Sequence, residues 1–177
     1  MKPEQERALA VVTAALDDTG LDWHTETPTR FTVELPGEHK QKTVTTLNVG
    51  EHTLQVSAFV VRHPDENAPA VHRWLLERNA KLVGLAFTVD SAGDVYLVGR
   101  MPLASVTAEE MDALLGRVLD ASDGSFNTLL ELGFAGAIRA EWEWRLSRGE
   151  PTANLAAFEH LRPKDPPDLA PDAPASE

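Results

Sequence analysis

The sequence predicts an α+β fold: a five-stranded, mostly antiparallel sheet packed by an N-terminal helix and a long C-terminal helix, in the order α-β-β-β-α-β-β-α. Three observations predict it. Residues 82–102 alternate apolar and polar positions on both sides of Ser91-Ala92-Gly93, the pattern of a β-hairpin. Three shorter alternating runs precede that hairpin, and helical periodicity occupies residues 3–19 and the stretch beyond Thr107. A two-stranded ribbon with one apolar face is not stable alone, so the flanking strands and helices must cover it.

Taken in order, residues 3–19 read as an amphipathic helix. Pro3 suits its first turn, Glu4 and Glu6 complement the N-terminal dipole, Leu9, Val12 and Leu16 form the apolar stripe, and Gly20 stops it. Trp23 falls in a connecting segment, and the first strand is residues 31–35, with Phe31, Val33 and Leu35 on one face until Pro36-Gly37 breaks it. Strands at residues 43–49 and 52–61 follow, joined by Gly50-Glu51 as a two-residue type II′ turn. That register pairs Leu47 with Leu54 and Thr45 with Val56, and leaves Ala58 and Val60 on the same side.

Pro64 and Asp65 open a second helix, with Asp65 as N-cap, Val71, Trp74 and Leu75 as its apolar edge, and Arg73, Glu77 and Arg78 toward water. In the hairpin, Val83, Leu85, Phe87 and Val89 form one stripe, and a left-handed Gly93 sets Val89 against Val95 and Phe87 against Leu97. Thr107 and Glu110 form a capping box that starts the third helix, which carries Met111, Leu114, Leu115, Val118 and Leu119. Residues 120–124 read as a kink or short break, after which Leu130, Phe134, Ile138, Trp142 and Leu146 recur four apart. Gly133 and Gly136 interrupt good helix propensity and predict the close approach of another element. Gly149 and Pro151 end the helix, and residues 152–161 form one more short helix. The domain therefore spans 1–161, and residues 162–177, rich in proline, acids and small side chains, predict a disordered tail.

A chain of 177 residues supports one domain with a real core. The absence of cysteine excludes disulfides, thiolate metal sites and cysteine nucleophiles. Residues 1–10 lack a signal-like apolar run and no window reaches a membrane span, so a cytoplasmic location is expected. The net charge of -12 disfavours nucleic acid and anionic lipid as partners and suits a protein partner with basic segments. The basic cluster at residues 38–42 reads as a solvated loop.

No catalytic constellation is present: there is no GxSxG, Walker loop, or GxGxxG after a strand, and no serine has a plausible histidine partner. The six histidines show no HxxxH or HxH spacing, so neither a metal nor a cofactor is expected. Residues 120–131 carry an acid at each end like a calcium loop, but glycine stands at the fifth place and oxygen ligands are missing further on. Asp90 and Asp94 are explained by turn chemistry. Trp142 and Trp144 stand about 200° apart on a helix, so both cannot face one core, and Trp144 is expected to be partly exposed or at an interface.

Leu75-Leu76-Glu77-Arg78-Asn79, Gly93-Asp94-Val95-Tyr96-Leu97, and Met101-Pro102-Leu103 with Thr107-Ala108-Glu109-Glu110-Met111 resemble the YbjN family, which is related in fold to the type III secretion chaperones. The resemblance spans residues 1 to 148, with its specific part at 75–119. It implies a domain whose relatives bind extended peptides or partner proteins, commonly as homodimers, in regulatory or chaperone-like roles. Residues 152–177 depart from that pattern and are free to fold over a binding surface. The expectation is a non-catalytic protein- or peptide-binding module that uses a spare sheet face, with Val44, Thr46, Phe59 and Val61 as outward-facing candidates. The alternative is an oligomeric regulatory or assembly subunit whose partner surface is the second helix, with Trp74, together with Trp144.

Overall fold

The structure, a computed structural model, describes residues 1–164. From residue 165 on, the predicted tail lies outside the described residues.

Helix α1 (Pro3–Thr19) is followed by strands β1 (Asp22–Thr27), β2 (Arg30–Pro36), β3 (Lys42–Val49) and β4 (Thr53–Val61), helix α2 (Ala68–Asn79), strands β5 (Leu85–Val89) and β6 (Val95–Pro102), and helix α3 (Ala108–Arg148). The sheet has six strands rather than five, in the spatial order β1-β2-β3-β4-β6-β5, and every neighbouring pair is antiparallel. The extra strand is the segment around Trp23. As an edge strand it buries almost nothing, so its sequence DWHTET carries one large apolar residue and no legible alternation.

The β3–β4 hairpin turns one residue later than expected. Gly50 N–H donates to Thr53 O at 2.9 Å, leaving Glu51-His52 as the loop, so that Leu47 pairs with Val56 and Thr45 with Ala58. Because side chains alternate with period two, this shift of two positions in pairing keeps each residue on its predicted face. The β5–β6 hairpin has the expected register, Val89 with Val95 and Phe87 with Leu97, around Gly93 at φ +85°. Val83 precedes β5 and is 74% exposed, because the chain turns at Gly84, φ +71°.

One face of the sheet carries the core. Phe31, Val33, Leu47, Leu54, Val56 and Leu97 are buried there against Val12 and Leu16 of α1 and Met111, Leu114 and Val118 of α3. The Arg7 guanidinium fastens α1 to the carbonyls of Leu103 and Val106, just ahead of α3.

Helix α3 runs unbroken through residues 120–124, where a kink was expected. Small polar residues weaken a helix by bonding to nearby backbone, but here they bond outward. Ser122 Oγ lies 3.0 Å from Thr43 Oγ1, and the Asp123 carboxylate receives the loop that precedes β3. The irregularity falls instead at Phe134, φ -143° and ψ 20°, beside Gly133. A Cβ on Gly133 would lie 2.9 Å from Pro64 Cβ, and its carbonyl accepts N–H bonds from Asp65 and Glu66 at 3.0 and 3.1 Å. Those bonds pin residues 65–66 to α3. Asp65 is consequently not the N-cap of α2; it pairs with Arg62 at 2.6 Å, and Asn67 takes the cap position with φ 51°.

Beyond Phe134, α3 continues past the sheet. Residues 153–161 form a 3₁₀ segment (Ala153–Leu161) that folds back on it, so Leu155 and Phe158 bury Ile138 and Trp142 in a second small core, and Trp142 Nε1–H donates to Phe158 O at 3.1 Å. That segment packs on α3.

Candidate partner-binding face

The strand residues that alternate with the core project to the other side of the sheet, where no helix of the described residues packs. Register arranges them in rows across the strands. One row is Arg30, Asn48, Gln55 and Arg100, and the next is Thr32, Thr46, Ser57 and Val98. Further along β4, Phe59 stands opposite Tyr96 with ring centroids 5.5 Å apart in an edge-on arrangement. The first two rows form an open concavity of about 400 Å³, lined by Arg30, Thr46, Asn48, Gln55, Ser57 and Arg100 among others. At the other end of β2 the charge reverses. There Glu34 is held by Lys42 at 2.6 Å; Glu26, in the β1 bulge near Arg30, accepts a bond from Thr32 Oγ1 at 2.6 Å.

The sheet is split near Phe59. Beyond the Thr45–Ala58 pair, β3 stays with β2 while β4 stays with β6, so β4 loses its β3 partner. Lys40 fills the opening: its Nζ donates to Phe59 O at 2.5 Å and lies 5.1 Å from the Phe59 ring and 5.9 Å from that of Phe126. Burial pushes the Lys40 amine down to about 8, against the opposing pull of Asp123.

Asp123 organises the loop that delivers this lysine. Its oxygens accept the N–H groups of His39 and Lys40 at 3.0 and 2.8 Å and meet His39 Nδ1 at 2.9 Å. Burial raises the Asp123 carboxyl, but the Lys40 N–H, the His39 ring and the His39 N–H outweigh it and hold the group below the usual carboxylate range. The cluster at residues 38–42, expected to be a solvated loop, is therefore tied to α3 and reaches into the sheet.

The two sheet edges differ. On β5, the Asn79 side chain pairs with both backbone groups of Phe87, whereas β1 has five exposed residues out of six and, among the described residues, no such cover.

The expected site residues do not form one surface. Phe59 is half-buried on the uncovered face, and Val44, 40% exposed, shares it. Val61 does not. A register shift between Phe59 and Val61 turns it inward, and it is 5% exposed. Trp74 is half-buried in the helical layer, 6.3 Å from the Phe87 ring. Trp144 is 45% exposed on the far part of α3, with the guanidinium groups of Arg145 and Arg148 at 5.9 and 5.2 Å from its ring. The row from Arg30 to Arg100 escaped the sequence reading, which weighed apolar candidates. Strand alternation was the available signal, since these four residues sit one position from Phe31, Leu47, Leu54 and Met101.

Among the described residues no three histidine, aspartate or glutamate side chains converge to hold a metal ion, and no helix is long and apolar enough to cross a membrane.

Comparison with known proteins gives three findings. The YbjN family model, described as "Putative bacterial sensory transduction regulator", matches residues 8–131. An uncharacterized protein of Mycobacterium tuberculosis (strain H37Rv) is 57% identical over 136 residues, covering 77% of this chain and 74% of its own, and one of Mycobacterium leprae is 56% identical over 132 residues, covering 75% and 72%. Among solved structures, a chain in the crystal structure of the ExsC–ExsE complex shares the fold, with a TM-score of 0.54 at 22% identity over 73% of this chain and 97% of that one.

Proposed function

Since the chain belongs to the YbjN family, we propose that it is a non-catalytic binding module that receives an extended segment of another protein on the uncovered face of its sheet. One observation carries this reading: all three helices pack toward one side, leaving rows of half-exposed threonine, serine, asparagine, valine and aromatic side chains on the other. A six-stranded face that the described residues leave open, with a concavity across its middle strands, matches the width of an extended polypeptide rather than a small molecule. The fold is shared with a chain solved in a protein–protein complex, which supports a protein partner. In this reading the binding domain is residues 1–161, it works in the cytoplasm in a chaperone-like or regulatory capacity, and Phe59 and Val44 supply apolar contacts.

The test is an array of immobilised 15-residue peptides of alternating threonine and valine, probed with the full chain and with Phe59→Asp. Binding that is lost in the variant while its urea midpoint stays within roughly 1 M of the parent supports the reading. Equal binding by both proteins, or none by the parent, refutes it.

A second reading, an oligomeric assembly subunit, is favoured by Leu76 on α2 and Val83 just after it, 71% and 74% exposed. Homodimerisation through that side would bury both. Light scattering across a dilution series decides it, and a monomer at every concentration sinks it.

A further inference from the structure

Resting on the reading just given, we propose that the row Arg30, Asn48, Gln55 and Arg100 selects an acidic segment of the partner protein, one with two carboxylates four residues apart in extended conformation. The row is built by register: Arg30 stands opposite Asn48, Asn48 opposite Gln55, and Gln55 opposite Arg100, so four adjacent strands present it on the uncovered face.

Both arginines are exposed, and among the described residues neither makes a hydrogen bond or an ion pair. Among the described residues Lys2, Lys42, Arg62, Arg73, Arg117, Arg145 and Arg162 each pair with an acid, and Arg30 and Arg100 are among the cations that do not. Two guanidinium groups without an acid, at the ends of one concavity, are complementary to anionic groups. Guanidinium presents a planar fork that grips carboxylate through two parallel bonds.

Spacing sets the pattern. The arginines are three strand intervals of about 4.8 Å apart, roughly 14 Å, and an extended chain advances about 3.3 Å per residue, so four residues span about 13 Å. Between the arginines, the side-chain amides of Asn48 and Gln55 offer both donors and acceptors to the intervening polar groups. The face is also polarised, because Glu34 stands at the other end of β2 from Arg30. The carboxylates of the segment therefore lie at the arginine row, and the aliphatic residues that flank them turn along the strands toward Phe59 and Tyr96, about 13 Å away.

The net charge of -12 argues against a polyphosphate in the same place. A nucleic acid brings a charge every few ångströms into a repulsive field, whereas two carboxylates form short contacts that a Debye length of about 8 Å shields from distant acids.

The experiment uses fluorescent 12-residue peptides of alternating threonine and valine, with the full chain as receptor. One carries aspartate at two positions four apart, one carries aspartates two apart, and one has asparagine in place of both. We expect the four-apart peptide to bind about 10-fold tighter than the asparagine peptide, with the advantage shrinking as salt rises from 50 to 300 mM. The double variant Arg30→Gln/Arg100→Gln should lose that 10-fold advantage while binding the asparagine peptide as before. Equal affinity for the four-apart and asparagine peptides overturns the proposal and leaves the face reading intact if Phe59→Asp still abolishes both. Failure of every peptide to bind counts against the face reading itself. Tighter binding of a 12-nucleotide single strand than of the acidic peptide, lost in the double variant, overturns the proposal, as does a dimer in sedimentation velocity that the double variant dissolves.

Discussion

Asn79 is paired with Phe87 as though it were a strand: its Oδ1 accepts the Phe87 N–H at 2.7 Å and its Nδ2 donates to the Phe87 carbonyl at 3.2 Å. The last residue of α2 thus occupies the backbone of the middle residue of β5, on the edge that faces away from β6. An unguarded edge invites pairing with another chain. With β5 occupied, β1 is the edge that the described residues leave to a partner. Asn79→Ala should lower stability by about 1–3 kcal/mol, the worth of two such bonds. The urea midpoint falls at unchanged slope, and hydrogen exchange at Phe87 N–H accelerates. Unchanged exchange there contradicts the assigned role.

Asp123 carries the geometry of the loop ahead of β3. Its carboxyl is held below the unfolded value of 3.8, so the folded state binds fewer protons, and the stability this gives is present above about pH 4 and lost as pH falls through the folded value. Asp123→Asn should cost about 1.5–3 kcal/mol at pH 6, the range for bonds to a charged acceptor. The gap between variant and parent, read as urea midpoints, should narrow on going to pH 3. A gap that stays constant with pH removes the ionic contribution.

How much of this was readable beforehand follows from where burial imposes a pattern. Phe31, Val33 and Leu35, and the facing of Phe87 and Leu97, were legible because one side of each strand is core and the other is not. Strand β1 was invisible because an edge strand with one half-buried tryptophan has no period to detect. Residues 120–124 looked like a break because serine, aspartate and glycine compete locally with a helix, and nothing in the chain says that Thr43 and the His39 loop will take up those polar groups. Gly133 was placed correctly at a close approach; the partner, Pro64, lies 69 positions away and only the fold supplies it. The candidate site suffered most. Apolar residues drew attention to Val61, which a bulge turns inward, while the arginine row lay among polar residues that strand alternation consigns to solvent.

Gly133 gives the third prediction. A methyl group there meets Pro64 Cβ at 2.9 Å, and the carbonyl of the same residue holds the N–H groups of Asp65 and Glu66. Relief requires moving the α2 lead-in away from α3, so Gly133→Ala should cost about 1–3 kcal/mol despite the better helix propensity of alanine. Exposed Gly124, with nothing near its added methyl, is the control, and Gly124→Ala should be neutral to stabilising by up to about 1 kcal/mol. Thermal melts of the two variants moving in the same direction would contradict the packing account.

The fourth prediction concerns Lys40, whose amine stands at about 8 against an unfolded value of 10.5 because it is desolvated between Phe59 and Phe126. Between those two values the unfolded chain binds more protons than the folded one, so stability rises with pH across the window. The origin is specific: the neutral amine suits the split between β3 and β4, while the charged form is the better donor to Phe59 O but the poorer fit to its surroundings. Lys40→Met keeps the apolar stem and removes the titration. Urea midpoints taken from pH 7 to 10 should therefore climb for the parent relative to the variant, with the difference developing above pH 8. The same window has a local readout, because loss of the charge weakens the hold on the Phe59 carbonyl and should speed hydrogen exchange in the neighbouring β4 residues even as global stability rises. If the two proteins keep a constant separation in midpoint through pH 10, the lysine is solvated and does not plug the sheet.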